Sequence, residues 1–520
     1  MHSAELVLGL LIAVAALVTV ARRLGIAYPI FLLIGGLALG LVPGLPPIRV
    51  DPDLIFLLVL PPLLYIAAYL TPVRDLRANL TTISSLAVGL VVASAVAVAA
   101  VAHALIPGMP WSVAFVLGGI VAPPDAIAAS AISARLAVPR QISTILEGES
   151  LLNDATALTI YSIALAVAAG SVFAPKTAAL TFAAALVGGV VIGVLVGWVI
   201  GQIRARIEDT PVEMTISLLT PYAAFLPADR LDASGVIATV AAGLYLGHRH
   251  ASIMGADARI TGGALWNTLT FLLNGFVFIL MGFEVPLLLR SLTPGVAVGL
   301  VGIGLVVTLV LVVVRALWIA ITVYAPQRLR GRSDALPCTV VLSWAGMRGV
   351  VSLAAALAVP LALPGGAPFP ARDAIVIITL VVIVMTLLGH GLTLPWLIRS
   401  LSLGTGVGVR EEEARARQRL VEAAMHRLEE LYLVWPGHRP LLDQLRETYR
   451  HRSEHVERQI APASADGADR ELIEHREIRR TIIDAEREAL LRLGAEGEIS
   501  DQVLRDLERE LDLEERRMDA

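Results

Sequence analysis

The chain has 520 residues, 56% hydrophobic and 17% charged, with a mean hydropathy of +0.74 and a formal charge of −4. The charge is segregated: residues 1–402 hold 38 charged side chains and a net +4, whereas residues 403–520 hold 48 and a net −8. Soluble chains are about a quarter charged throughout, so these values exclude a secreted enzyme, a fibrous protein and a disordered chain, and they describe an all-α polytopic membrane protein over 1–402 with a polar tail over 403–520.

A helix crossing the hydrocarbon core needs about 20 apolar residues. By that measure thirteen spans are predicted, near 4–21, 26–43, 54–71, 82–105, 112–134, 149–170, 177–203, 213–227, 233–248, 264–288, 295–324, 336–363 and 374–398. The loops alternate in charge. The odd-numbered ones carry thirteen arginines (Arg22, Arg23, Arg74, Arg77, Arg135, Arg140, Arg204, Arg206, Arg249, Arg259, Arg328, Arg330 and Arg332), and the even-numbered ones carry five basic residues (Arg49, Lys176, Arg230, Arg290 and Arg372). Positively charged loops stay in the cytoplasm, which places the N-terminus outside, the tail inside, and the chain in a plasma (inner) membrane. Arg22 and Arg23 follow the first apolar run instead of preceding it, so that run reads as a retained span and not as a cleaved signal.

Two spans read as broken. Span 5 contains VLGGIVAPPDAIAAS, with Pro123 and Pro124 in mid-span. A proline pair cannot continue a helix. It predicts one half-helix ending near Ala122 and another starting near Ala126, with Asp125 as the cap of the second. Asp125 reads either as that cap alone or as part of an ion site. Span 12 contains LSWAGMRGVVSLA, where Gly346 and Gly349 bracket Arg348. An arginine there suits the negative C-terminal end of a half-helix. Interrupted spans at matching positions of two halves point to an inverted-repeat transporter with its site at the midplane.

Span 6 opens LEGESLLNDATALTIYSIAL, with Glu147, Glu149 and Asp154 at its entrance or inside. Charges at this depth face a cavity or a partner. Glu149 and Asn153 are four apart and share one helix face, suited to holding Arg348 through charge-assisted hydrogen bonds. Ser150 and Asp154 share the adjacent face and offer a hydroxyl and a carboxylate, oxygen ligands for a transient alkali cation such as Na+. Desolvation favours the neutral form of a carboxylate, so proton and cation compete for one group, and that competition suffices for antiport.

At these residues the chain resembles the monovalent cation:proton antiporter family of the NhaP/NHE type. The match rests on GESLLNDATAL (148–158), APPDAIAA (122–129), GMRGVVSLA (346–354) and LPPLLY (60–65), and it covers about 1–400. The resemblance implies thirteen helices with crossed broken helices at spans 5 and 12, and a mobile core sliding against a dimerising scaffold. It implies Asp154 as the ion- and proton-carrying acid and Ser150 as a side-chain ligand. Asn153 becomes the partner that makes exchange electroneutral, and Glu149 with Arg348 a buried ion pair supporting the site. Two departures stand out. Pro124 occupies a position where the family often has threonine, leaving only its backbone carbonyl, and Ile66 stands where many members carry an acid.

The expected function is electroneutral sodium:proton antiport, with potassium or lithium as further cations, for pH and cation homeostasis. A cation channel or a cation-coupled solute symporter using the same carboxylates is the alternative. No enzyme constellation and no cofactor motif is visible. One cysteine, Cys338, excludes intrachain disulfides and cysteine-cluster metal sites. The acidic tail argues against nucleic acid. A bilayer and a second copy of the chain are the expected partners. Arg315, inside span 11, is expected to snorkel or to pair with an acid elsewhere, His103 and His390 to lie near span ends, and His248 and His250 to flank Arg249 in a cytoplasmic loop. The tail is expected to be helical over 411–433, 440–460, 469–494 and 500–517, with Ser500 as the last N-cap.

Overall fold

The computed structural model describes residues 2–24, 28–42, 52–125, 138–207, 209–290, 293–329, 335–363, 366–401 and 407–460, and shorter stretches between 477 and 515. It divides into two compact units, Met1–Thr405 and Gly406–Ala520. The described residues are helical, apart from turns and an isolated antiparallel bridge between Ala362 and Pro368.

In the first unit the helices are α1 (His2–Leu24), α2 (Tyr28–Gly40), α3 (Pro52–Leu70), α4 (Leu80–Leu105), α5 (Trp111–Val121), α6 (Arg140–Ala168), α7 (Pro175–Arg204), α8 (Thr210–Arg230), α9 (Gly235–Ile253), α10 (Ala256–Arg290), α11 (Pro294–Leu329), the pair α12a (Ala335–Trp344) and α12b (Val350–Leu357), and α13 (Arg372–Ser400). Among the described residues six helices are long and apolar enough to cross a membrane, within α4, α6, α7, α10, α11 and α13, and shorter apolar helices lie in α1, α2, α3 and α5.

Packing sorts these helices into two groups. In one, α2 packs along α10 and α1, while α9 is wrapped by α3, α7 and α8. In the other, α5 lies between α4 and α6, and α11 contacts α4 and α13, with α12b against α13. The α2–α10 contact is made by small residues. A Cβ on Gly36 would overlap the Ile279 carbonyl, and one on Gly282 would overlap the Leu33 carbonyl, the close backbone approach that drives helix association in lipid. Polar anchoring is local: Asp209 caps α8 by accepting from the Val212 N–H, and Ser234 caps α9 by accepting from the Ile237 N–H.

Several expectations shift here. Arg204, read as a loop residue, is buried in the last turn of α7 and paired with Glu213 at 3.2 Å. His248 and His250 are helical residues near the end of α9, not loop residues, and the Arg249 guanidinium lies over the Tyr245 ring. His103 is exposed and stacks on Trp111. His390 is buried beside Trp344, ten residues before the end of α13.

In the second unit, α14 (Val407–Val434) and α15 (Arg439–Ile460) form a helical hairpin around Pro436–His438. Residues 480–490 and 511–515 are helical as well, and Arg487 bonds Asp512 and Glu515, each at 2.9 Å. Residues 461–476 and Ser500 lie outside the described residues.

Candidate ion site between the helix groups

The helix break in span 5 falls where the proline pair puts it. α5 ends at Val121, and Ala122 to Asp125 continue as non-helical backbone. The half-helix expected from Ala126 lies outside the described residues. Span 12 breaks between Trp344 and Val350. The two breaks meet: the Asp125 N–H donates to the Met347 carbonyl at 2.7 Å. Irregular backbone at membrane depth survives only where protein satisfies it, and here each break satisfies the other.

Arg348 occupies this junction. Its guanidinium donates to the carbonyls of Val121 at 3.1 Å, Ala122 at 3.3 Å and Gly346. Those first two carbonyls are the unpaired C-terminal groups of α5, where a cation complements the helix dipole. The Thr386 hydroxyl accepts from the Arg348 N–H at 3.1 Å.

The ion pair expected between Glu149 and Arg348 is therefore corrected. Glu149 is held by Arg315 through two parallel bonds of 2.6 and 2.8 Å, and Arg315 Nε donates to the Leu342 carbonyl at 3.1 Å. All three groups are buried. Arg315 comes from α11, so one side chain joins α6, α11 and α12a. Gly346 makes room for it, since a Cβ there would stand 2.5 Å from Arg315 Cδ. Sequence reading placed Asn153, with Glu149, on Arg348. Asn153 Nδ2 instead donates to the Pro124 carbonyl at 2.7 Å, fixing the unwound strand of span 5 against α6.

Asp154 is buried at 6% exposure on the neighbouring face of α6. It lines a cavity of about 440 Å³ together with Ser150, Asp125 and Pro124. The expected ion-site residues thus share one cavity. Its walls come from both helix groups: α6, the span 5 break and the start of α12b on one side, and α3, α10 and Tyr28 of α2 on the other. The α3 wall is apolar and includes Ile66, so no acid faces the cavity from there. Glu147 stands half-buried in the lining. The polar residues of α10 (Asn267, Thr270 and Asn274) and Ser352 also line it. Sequence reading missed them, although their three- and four-residue spacing on an apolar helix is a readable signal.

Asp125 turns its carboxylate to the first residues of α12b. A Cβ at Gly349 would overlap that carboxylate, and Gly349 is the residue immediately before the helix. Asp125 is thus placed at a helix N-terminus, the favourable end for an anion, but the helix belongs to the other broken span. Gly349→Ala should displace the carboxylate and cut transport by about 10-fold or more while protein still accumulates in the membrane. Vesicle exchange rates normalised to protein level check this.

Residues 9–400 match the family model described as "Sodium/hydrogen exchanger, transmembrane". An uncharacterized Na(+)/H(+) exchanger of Mycobacterium tuberculosis is 36% identical over 533 residues, covering 98% of this chain and 96% of the relative. A sodium, potassium, lithium and rubidium/H(+) antiporter of Bacillus subtilis is 28% identical over 351 residues, 63% of this chain and 51% of that protein. Among solved structures, the sodium proton antiporter NhaP1 of Methanocaldococcus jannaschii has the same fold, with a TM-score of 0.61 at 19% identity, over 78% of this chain and 99% of that one. Paired helix breaks, a buried acid in a cavity between two helix groups, and a family match spanning the whole membrane unit lead to one conclusion: the chain belongs to the sodium/hydrogen exchanger family.

Proposed function

We propose that this chain exchanges one monovalent cation for one proton through Asp154. The observation that carries the reading is the position of that carboxylate, buried in the cavity between the two helix groups and next to the meeting point of both helix breaks. Two of the neighbouring charges have other tasks. Glu149 is neutralised by Arg315, and Arg348 is spent on the carbonyl end of α5. Asn153 is neutral and bonded to Pro124. Asp154 is left as the acid that takes either a proton or a cation. A cation in the cavity would bind Asp154 and Ser150, with Asp125 and the span 5 break shaping the site. One carboxylate changing partner carries one charge each way, so exchange is electroneutral.

Sodium is the first choice from the family, and the name of the Bacillus relative extends the candidates to potassium and lithium. The alternation of arginines supports a plasma membrane protein with an external N-terminus and a cytoplasmic tail. The cavity lining grows less exposed from Glu147 to Asp154 along α6, and α6 follows an arginine-rich loop, which fits an opening on the cytoplasmic side. A homodimer and operation without a cofactor complete the proposal.

The test is a fluorescence dequenching assay in everted vesicles with Na+, K+ and Li+ across pH, run with and without a clamped potential. Exchange that proceeds at the same rate under the clamp is expected. A rate that follows the potential contradicts one-for-one exchange, and a cation current without proton movement would establish the channel alternative.

A further inference from the structure

The cavity has two polar ladders, only one of which the exchange reaction has used. On α6, Glu147, Ser150 and Asp154 stand at positions i, i+3 and i+7, one face of a helix. On α10, Asn267, Thr270 and Asn274 repeat the same spacing and line the same cavity. Burial is graded alike on both. Glu147 and Ser150 are half-buried and Asp154 is 6% exposed, whereas Asn267 is exposed, Thr270 half-buried and Asn274 2% exposed. The ladders therefore descend together from the mouth to the floor. One carries acids and a hydroxyl, the other two amides and a hydroxyl.

Asn274 is the informative rung. It sits beside the Tyr28 hydroxyl, yet its Oδ1 has no hydrogen-bond partner among the described residues. A buried amide oxygen left unmatched is costly, and native interiors keep few such groups. The surroundings explain why this one is kept. A cation that sheds water needs oxygens in place of its hydration shell, and at the depth of Asp154 the α6 ladder offers that carboxylate and the Ser150 hydroxyl, with Glu147 nearer the mouth. The α3 wall supplies none, because Leu63, Ile66, Ala67 and Leu70 are apolar. Asn274, on the facing helix group, lines the same cavity and carries a neutral carbonyl oxygen that no protein donor engages among the described residues.

We propose that Asn274 Oδ1 is a cation ligand contributed by the group opposite Asp154, with Thr270 and Asn267 as the stepping oxygens above it, and that this neutral ladder sets the selectivity among alkali cations. The inference rests on the antiport reading. A ligand on α10 is engaged only while the Asp154 group lies against it, so it weights cation binding in this state without carrying charge across. A neutral amide holds a weakly hydrated ion about as well as a strongly hydrated one, where an acid would favour the smaller ion. The oxygen at 274 is therefore expected to broaden the range of cations accepted.

The experiment uses the full-length chain in proteoliposomes, comparing wild type with Asn274→Leu for Na+, Li+ and K+. The leucine variant should raise the apparent KM by about 10-fold for at least one cation, change the rank order of the three, and keep the maximal rate within about 3-fold. A merely structural residue would lower the maximal rate and leave the order intact. KM values and order unchanged in Asn274→Leu, with wild type active, overturn this inference alone. A wild-type chain that exchanges no cation for protons overturns the antiport reading and this inference with it. If the leucine variant does not reach the membrane, Asn274→Asp, of equal size, decides. It should tighten cation binding and favour Li+ and Na+ over K+, and an unchanged order there overturns the proposal.

Discussion

Asp154→Asn is expected to abolish cation-dependent proton movement while the protein remains folded in the membrane. The substitution is nearly isosteric, and the residue lies at 6% exposure on a continuous helix, so packing is preserved. What changes is chemistry. An amide neither binds a proton in the working pH range nor balances a cation, so both half-cycles lose their carrier. The loss should be at least about 100-fold, the scale for removing a proton-carrying group from its own reaction. The readout is the dequenching rate at saturating cation, with membrane abundance measured in parallel. Ser150→Ala, which removes one ligand and leaves the carboxylate, should instead show as a higher apparent KM.

The second large effect is on stability and concerns Arg315. Breaking a buried ion pair by removing one partner costs about 3–5 kcal/mol, because the other charge stays buried without compensation. Arg315→Met leaves Glu149 in that position, and it also unties the Leu342 carbonyl that Arg315 holds at 3.1 Å. The single variant should melt well below wild type in detergent. Adding Glu149→Met should restore much of the loss, since a buried pair replaced on both sides by packed apolar groups is often near neutral. A double variant as unstable as the single one would mean that Arg315 acts through α12a and not through Glu149. Arg348→Met should behave differently. No added substitution of Glu149 should rescue it, because its partners are main-chain carbonyls of α5.

Those contrasting arginines mark the limit of sequence reading. The breaks were legible from a proline pair beside Asp125 and from two glycines bracketing Arg348 at membrane depth, although a proline pair alone does not end a helix, since α3 runs through Pro61 and Pro62. The acidic face of α6 was legible too, because helical spacing alone puts Ser150 with Asp154. The partner of Glu149 was not. Arg315 lies 166 positions away on another helix, and the choice between two buried arginines depends on how α11 packs, which no local pattern encodes. Asp125 shows the same limit. Its role as a helix cap follows from its place after Pro124, but the helix whose start it meets is supplied by span 12, through the glycine at 349. Asn274 was missed for a simpler reason. A single asparagine among apolar residues carries little signal until its neighbours at 267 and 270 are seen lining the same cavity. His390 was expected near a span end, but it lies ten residues before the end of α13 and is buried there beside Trp344.

The most direct test of a single carboxylate shared between proton and cation is proton release on binding. Purified protein in weakly buffered solution, at a pH where Asp154 is protonated, is titrated with Na+, Li+ or K+, and the released protons are counted. The account predicts one proton per chain for each cation bound in wild type, and none in Asp154→Asn. Equal release from both proteins, or cation binding to wild type with no proton released, would contradict it.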